Sequence, residues 1–562
     1  MKINKIFFAF VMLGGMLMSS CDSFLDPRPE QRLTEENLIA NPSYAEGLLL
    51  RAYGQLPTSY SFTLDYASDD AVTNETAASV NAMVKGGWAS NSNPADQWGR
   101  SYEVFMYINK FMQIAPNVEW DWKSKAKNAL FAKRLMGEAY ALRALWGFNL
   151  LQAHAGYSGT ELLGYPIVLS VLSDNDNLKL PRNTYAECVK QITDDLDSAI
   201  VRLPSKWADI AGNTDHNEAQ GAKFTNRING LTAKLIKSRV LLYAASPAYS
   251  TSSWTDAANA AAAVLVDNGG LTNITAAKSA DLKFYETYGS AEILWASSRI
   301  QSKTDLGKAN FPPSLFGRGE TNPTQNLVDA FPKLDGTPFD PSLNNTVTQY
   351  TGRDPRLAKY IVYNGLTFRG AVMKFADDVL NINAPGRNVN ATLTGYYLKK
   401  FINEGIIIDP GKPTVGQDQF YTYARYTEAL LNFAEAANEA VGPDVAVSGF
   451  TARAVVNAIR TRAGITSTAY INGLDQAGLR AAIKNERRIE LCFEGHRFWD
   501  IRRWNDKTTM KAAVNGVKFS ADNTTAIVSL VQVRDYQDFQ IYGPIPYNET
   551  LKYDLKQNDS WQ

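Results

Sequence analysis

A chain of 562 residues is too long for one small core, and 45% hydrophobic with 20% charged residues excludes wholesale disorder. Lys plus Arg and Asp plus Glu both total 57, so the net charge is zero and no basic excess of the kind that drives nucleic-acid binding is present. The 27 Tyr, 25 Phe and 11 Trp exceed what a helical core needs and leave rings for a stacking surface.

The chain opens on Lys2 and Lys5, an apolar run from Ile6 to Met18, and then Ser19-Ser20-Cys21. This reads as a secretory signal over residues 1–20, shorter than a spanning helix and with no charged stop behind it. Small residues before Cys21 resemble a bacterial lipobox, which predicts acylation of Cys21. At ~0.8 kcal/mol per buried methylene, several acyl chains hold a protein to a membrane without a spanning helix. Residues 21–33, marked by Pro27 and Pro29, read as a tether. Cys188 and Cys492 lie on apolar helical stripes and are expected as buried thiols, although spacing leaves a pairing open.

The predicted helices come in pairs. Ser43 and Glu46 form a capping-box pattern at the head of Tyr44–Leu56, and Ser101–Ile114 follows. Leu135, Ala139, Leu142, Trp146 and Leu150 make one face of Phe131–Ala155. Thr184 and Glu187 box the next helix, which carries Val189, Ile192, Leu196 and Ile200. Leu231, Leu235, Ser238, Leu242 and Ala245 form a stripe of mixed size, followed by a helix from Trp254 to Asp267 that Gly269-Gly270 stops. Tyr423, Tyr426, Leu430, Phe433 and Ala437 mark a further helix, and Thr451–Ala463, capped by Gly464, is its partner. Large and small contact residues on paired helices predict degenerate tetratricopeptide-like stacking and a mostly α fold. Two stretches fall outside this pattern: Tyr60–Asp96, and a second from about residue 281 to Lys412, richest in turn residues after Lys303. They read as long ordered loops with short strands, the usual carriers of function. The whole of 34–562 is expected to form one domain.

No catalytic constellation is present. His154, His216 and His496 are scattered, and neither Gly-x-Ser-x-Gly nor a P-loop occurs. Glu490, Glu494 and His496 match no zinc spacing and stand among arginines, which predicts an ion-pair web. Glycoside hydrolysis needs only two facing carboxylates, and Asp69-Asp70 with Glu75 is a candidate cluster; turn formation, calcium ligation or sugar hydrogen bonding is the blander role. No cofactor is indicated, and whether calcium orders that Asp-rich loop is left open. Trp88 sits in a polar loop between Gly86-Gly87 and Ser90-Asn91-Ser92-Asn93, the setting of either a stacking platform for a sugar ring or a loop anchor. Trp98 begins an apolar helical series and reads as core.

Motifs in order along the chain carry a resemblance: Cys21-Asp-Ser-Phe-Leu-Asp26, Trp98 through Asn109, Glu138 through Trp146, Tyr423 through Ala436, and Ile459-Arg-Thr-Arg-Ala-Gly464. The strongest runs from Glu486-Arg-Arg-Ile-Glu490 to Phe498-Trp-Asp500 and Trp504, and Pro544-Ile-Pro-Tyr-Asn-Glu549 follows. Together they resemble the SusD/RagB nutrient-binding outer-membrane lipoproteins. The resemblance implies four tetratricopeptide-like helix pairs under a loop-rich variable region and no enzymatic activity. It also implies a SusC-like TonB-dependent partner over which the protein closes as a lid, with oligosaccharides as the usual ligands and peptides as the alternative. A surface glycosidase is the third reading. The motifs are scaffold, so the binding face is chosen on chemistry: Trp88 stacking a sugar, Asp70 and Asn74 bonding to hydroxyls, and Tyr288, at a glycine turn before Ile293–Ala296, lying across from them.

Overall fold

The computed structural model describes residues 34–173, 175–274 and 282–561; the signal segment, Cys21 and the tether lie outside the described residues. Among the described residues, eight of the longer helices run in order: α1 (Pro42–Gly54), α2 (Trp98–Ile114), α3 (Lys125–His154), α4 (Tyr185–Ile200), α5 (Gly230–Ala245), α6 (Trp254–Asp267), α7 (Tyr426–Val441) and α8 (Ala452–Ala463). Each packs on the next, which gives four helix pairs in a continuous stack, and α9 (Gln476–Glu490) closes against α7. The short helix α10 (Arg497–Arg503) follows.

Local chemistry accounts for the helix ends. Thr184 and Glu187 form the reciprocal box at α4, Thr451 caps α8, and Gly464 ends α8 at φ +104°, a backbone that only glycine adopts without strain. Two expectations shift. At α1 the cap is Asn41, which accepts from the Ser43 N–H, with Pro42 in the first turn, where its missing donor costs nothing. Glu46 instead faces Arg227, 3.0 Å away. Helix α3 starts six residues before Phe131, at Lys125, because Ser124 accepts from the Lys127 N–H. On α5, Leu231, Leu235, Ser238, Leu242 and Ala245 are all buried, and the small Ser238 accepts a hydrogen bond from Asn432 on α7 at 3.1 Å.

The two stretches without helical periodicity are not featureless. Phe62, Phe311, Phe331, Tyr360, Phe368, Tyr396 and Phe401 build a second buried core beside the helical one. Short antiparallel ribbons hang on it: β1 (Ala71–Thr73) with β3 (Thr321–Pro323), β2 (Ile293–Ala296) with β4 (Thr422–Arg425), and β5 (Val514–Phe519) with β6 (Ala526–Gln532). A two-stranded ribbon is marginal alone, so packing on the cores holds these in place. Tyr423, expected on α7, lies on β4, because the next residue, Ala424, pairs with Trp295 across the ribbon.

A buried ion web joins the two cores. Arg425 contacts Glu292 at 2.8 Å, Glu490 at 3.1 Å and Glu494 at 2.7 Å. Arg462 reaches Glu490 at 2.7 Å, and Arg356 reaches Asp354, Glu486 and Glu490 at 2.7, 2.5 and 2.9 Å. Burial alone would raise the Glu490 carboxyl, but Arg462, Arg425 and Arg356 outweigh it and hold it well below the usual range. Cys188 and Cys492 are buried and unpaired; burial pushes both thiols up to about 12, which leaves them unreactive.

Candidate ligand site

The four residues chosen from sequence do not meet. Trp88 is only 5% exposed: Gly86 at φ +88° turns the chain and sends the indole inward, where it lies 5.0 Å from Trp561, 6.0 Å from Phe498 and 6.1 Å from Tyr536. Its N–H donates to Asn93 at 3.0 Å, so the polar residues that follow secure the anchor instead of framing a platform. Asp70 is fully buried and accepts from Arg488 at 2.7 Å. Asn74 is half-buried and spends its amide on the carbonyls of Arg318 and Ala391. Tyr288 alone is exposed, its ring edge-on to Phe420 at 5.1 Å. Trp88 therefore cannot stack a ligand, because its faces are already covered, and Asp70 cannot accept from a sugar hydroxyl because it is fully buried, although its second carboxylate oxygen has no partner among the described residues. The neighbouring Asp69 is likewise taken, by Arg497 at 2.7 and 3.0 Å, so guanidinium groups provide the counter-charge for this acidic loop.

A cleft of about 310 Å³ opens elsewhere, where the end of α3, the start of α7 and the segment before α2 converge. That volume suits one or two sugar rings or a short peptide. Tyr60, Tyr421, Tyr423 and Trp499 line it half-buried. Tyr421 and Tyr423, two apart on an extended segment, come to one side of it, their rings 5.2 Å apart, and Tyr60 lies 5.0 Å from Tyr421.

Polar groups with nothing to bond face the same space. Trp146 is 2% exposed, yet its indole N–H has no partner among the described residues. Asn149 and Gln152, one turn apart on α3, line the cleft and make no side-chain hydrogen bond with another described residue. Arg100, exposed in the first turn of α2, adds a donor at the rim.

The charges inside are spoken for. Glu428 receives Arg239 at 2.6 and 2.7 Å, and although burial opposes it, that pair holds the carboxyl at about 2. Glu494 is bound to Arg425 and Lys400, which outweigh burial and keep it below the usual range. Burial lowers His496 to about 4, so the imidazole is neutral at physiological pH. A cleft with stacking faces, free amide donors and acceptors, and inner carboxylates already paired, with Arg100 at the rim as its one unpaired charge among the described residues, is suited to neutral polar ligands. Neither carboxyl has the raised pKa that a general acid for glycoside cleavage requires. Among the described residues, no three His, Cys, Asp or Glu gather as metal donors.

Residues 291–561 match the family model described as the SusD family, and residues 23–220 match a second one described as starch-binding associating with outer membrane. The chain belongs to the SusD family. A SusD-like protein of Formosa agariphila, P38, is 22% identical over 542 residues, covering 92% of this chain and 94% of the relative. The solved structure of a SusD-like protein from Bacteroides fragilis is 25% identical, with a TM-score of 0.74 over 94% of this chain and 99% of its own. A second B. fragilis structure, titled a SusD-like carbohydrate binding protein, is 21% identical, with a TM-score of 0.69 over 92% and 98%. Four stacked helix pairs under a loop-rich region are thus the SusD frame, and in this chain the motif from Glu486 to Trp504 supplies part of the buried ion web. The second family model's description places such proteins at the outer membrane; no helix among the described residues is long and apolar enough to cross one.

Sequence reasoning missed the cleft residues. Tyr421-Thr-Tyr423 is an alternating aromatic pair that could have signalled a strand, but Gln152 and Trp499 carry no local mark.

Proposed function

We propose that this SusD-family chain is a non-enzymatic surface lipoprotein, acylated at Cys21, that binds a neutral oligosaccharide in the Tyr60–Tyr421–Trp499 cleft. It passes the ligand to a SusC-like TonB-dependent barrel over which it sits as a lid. The observation that carries the reading is the company the aromatic faces keep: Asn149, Gln152 and the Trp146 N–H, none of them paired with another described residue. Sugars present C–H faces to rings and hydroxyls to amides, so one ligand satisfies both sets. The likeness to the B. fragilis carbohydrate binding protein supports the same class. Half-covered rings favour modest affinity, which suits handing a ligand onward.

Calorimetry on the Asp22–Gln562 form with a panel of neutral oligosaccharides tests it. Trp499→Ala should cost roughly 1–3 kcal/mol of affinity, taking aromatic stacking on nucleobases as a guide, and Gln152→Ala about 1 kcal/mol. Unchanged affinity in both variants refutes the cleft, and binding of peptides but of no oligosaccharide transfers it to peptide ligands.

A further inference from the structure

A second cavity, of about 330 Å³, shares no lining residue with the cleft. It lies between the end of α6, the approach to α5 and ribbon strand β2. Trp207 and Trp295 form buried walls, and Tyr288 stands exposed at its edge. The two cavities meet at one ring contact: Trp295 lies 4.3 Å from Tyr423, which faces the cleft.

The informative residue is Asn268. It follows the last turn of α6 and is 3% exposed, and neither its side-chain nitrogen nor its side-chain oxygen has a partner among the described residues. Its backbone is satisfied, the N–H by Val264 and Val266 and the carbonyl by the Asn273 amide. Helix capping does not need the side chain, since Gly269 takes the left-handed turn at φ +82°. Its neighbour in the cavity, Asn229, behaves in the ordinary way: the amide donates to the Leu294 carbonyl and the oxygen accepts from the Thr232 N–H. Trp295 is committed too, donating to the Asn226 carbonyl at 3.0 Å. A buried carboxamide offering an unused donor and acceptor side by side, among aromatic walls, is a costly arrangement in a closed core and a useful one in a binding site.

We infer that this cavity is a second ligand site, independent of the cleft, which takes one neutral hexose-sized polyol. Vicinal hydroxyls present a donor and an acceptor at the spacing of a carboxamide, and the flat C–H side of the ring meets indole. Among the described residues, the one charged side chain lining the space is the exposed Lys206. A free monosaccharide or the terminal ring of a chain fits this volume of about 330 Å³, as one or two rings fit the cleft.

Saturation-transfer NMR and calorimetry on the Asp22–Gln562 form, with glucose, galactose, mannose and xylose at millimolar concentration, test this site. At least one sugar should bind, with affinity reduced tenfold or more by Asn268→Leu and by the surface change Tyr288→Ala, while Trp499→Ala leaves it intact. Asn268→Leu should not lower the melting temperature, since it removes an unpaired polar group. No binding by any of the four, or loss with Trp499→Ala and retention with Asn268→Leu, overturns the inference.

Discussion

The guanidinium of Arg497 holds both carboxylate oxygens of Asp69, at 2.7 and 3.0 Å, across 428 residues of sequence. Arg488 adds a second contact to Asp69 at 2.8 Å and binds Asp70. Burial would raise the Asp69 carboxyl, yet the two arginines hold it far below the usual range. The first long loop is therefore clamped to the ion web rather than left to fold around a ligand. Arg497→Ala should cost about 3 kcal/mol, the lower end for breaking a buried pair, since Arg488 remains. Denaturant unfolding reads this directly; a loss under about 0.5 kcal/mol would mean that the clamp is ornamental.

Trp88→Ala separates an anchor from a binding face. Emptying the space among Phe498, Tyr536 and Trp561 should cost about 3–5 kcal/mol of stability. Oligosaccharide affinity of the fraction that remains folded should be unchanged. A stable variant that no longer binds would return Trp88 to the site.

His496 makes stability depend on pH. An ordinary histidine takes its proton near 6.5, whereas the folded protein resists until about 4, because burial and the guanidinium groups of Arg487 and Arg239 oppose the charge, with Glu428 and Asp500 acting the other way. Between those values the unfolded chain binds more protons, so stability falls as pH is lowered, by up to about 1.4 kcal/mol per pH unit. Glu428 and Asp500, both held at about 2, are expected to lose their contribution as pH drops from the ordinary carboxylate range toward that value. Unfolding curves for His496→Gln should therefore be flatter between pH 6.5 and 4.5 while keeping the acid limb below. A slope identical to the parent's in the upper window would rule out His496 as its source.

Cys21→Ala should abolish acylation and move the protein from membrane to soluble fractions. Metabolic labelling with a fatty-acid probe is the check, and an unlabelled parent protein would contradict the lipoprotein reading.

Helices were legible in the sequence because their causes are local. Trp254–Asp267, the Thr184–Glu187 box and the Gly464 stop each depend on residues within a turn or two, and the structure reproduces them. The motif Glu486–Trp504 was legible as an arginine-rich web for the same reason, although its partners Glu292, Asp354 and Asp69 were not. Tyr423 shows where local pattern misleads: its three-residue step to Tyr426 mimics a helix, but pairing with a strand more than a hundred residues earlier decides its backbone. Trp88 shows the same for burial, since a polar neighbourhood in sequence became a covered ring once Phe498, Tyr536 and Trp561 arrived from the far end of the chain. The cleft draws Tyr60, Gln152, Tyr421 and Trp499 from four separate segments. Periodicity and capping are properties of a few consecutive residues, so the sequence alone determined the helical frame. Which rings stay uncovered and which amides stay unpaired depends on contacts between distant segments, and only the tertiary structure decided that.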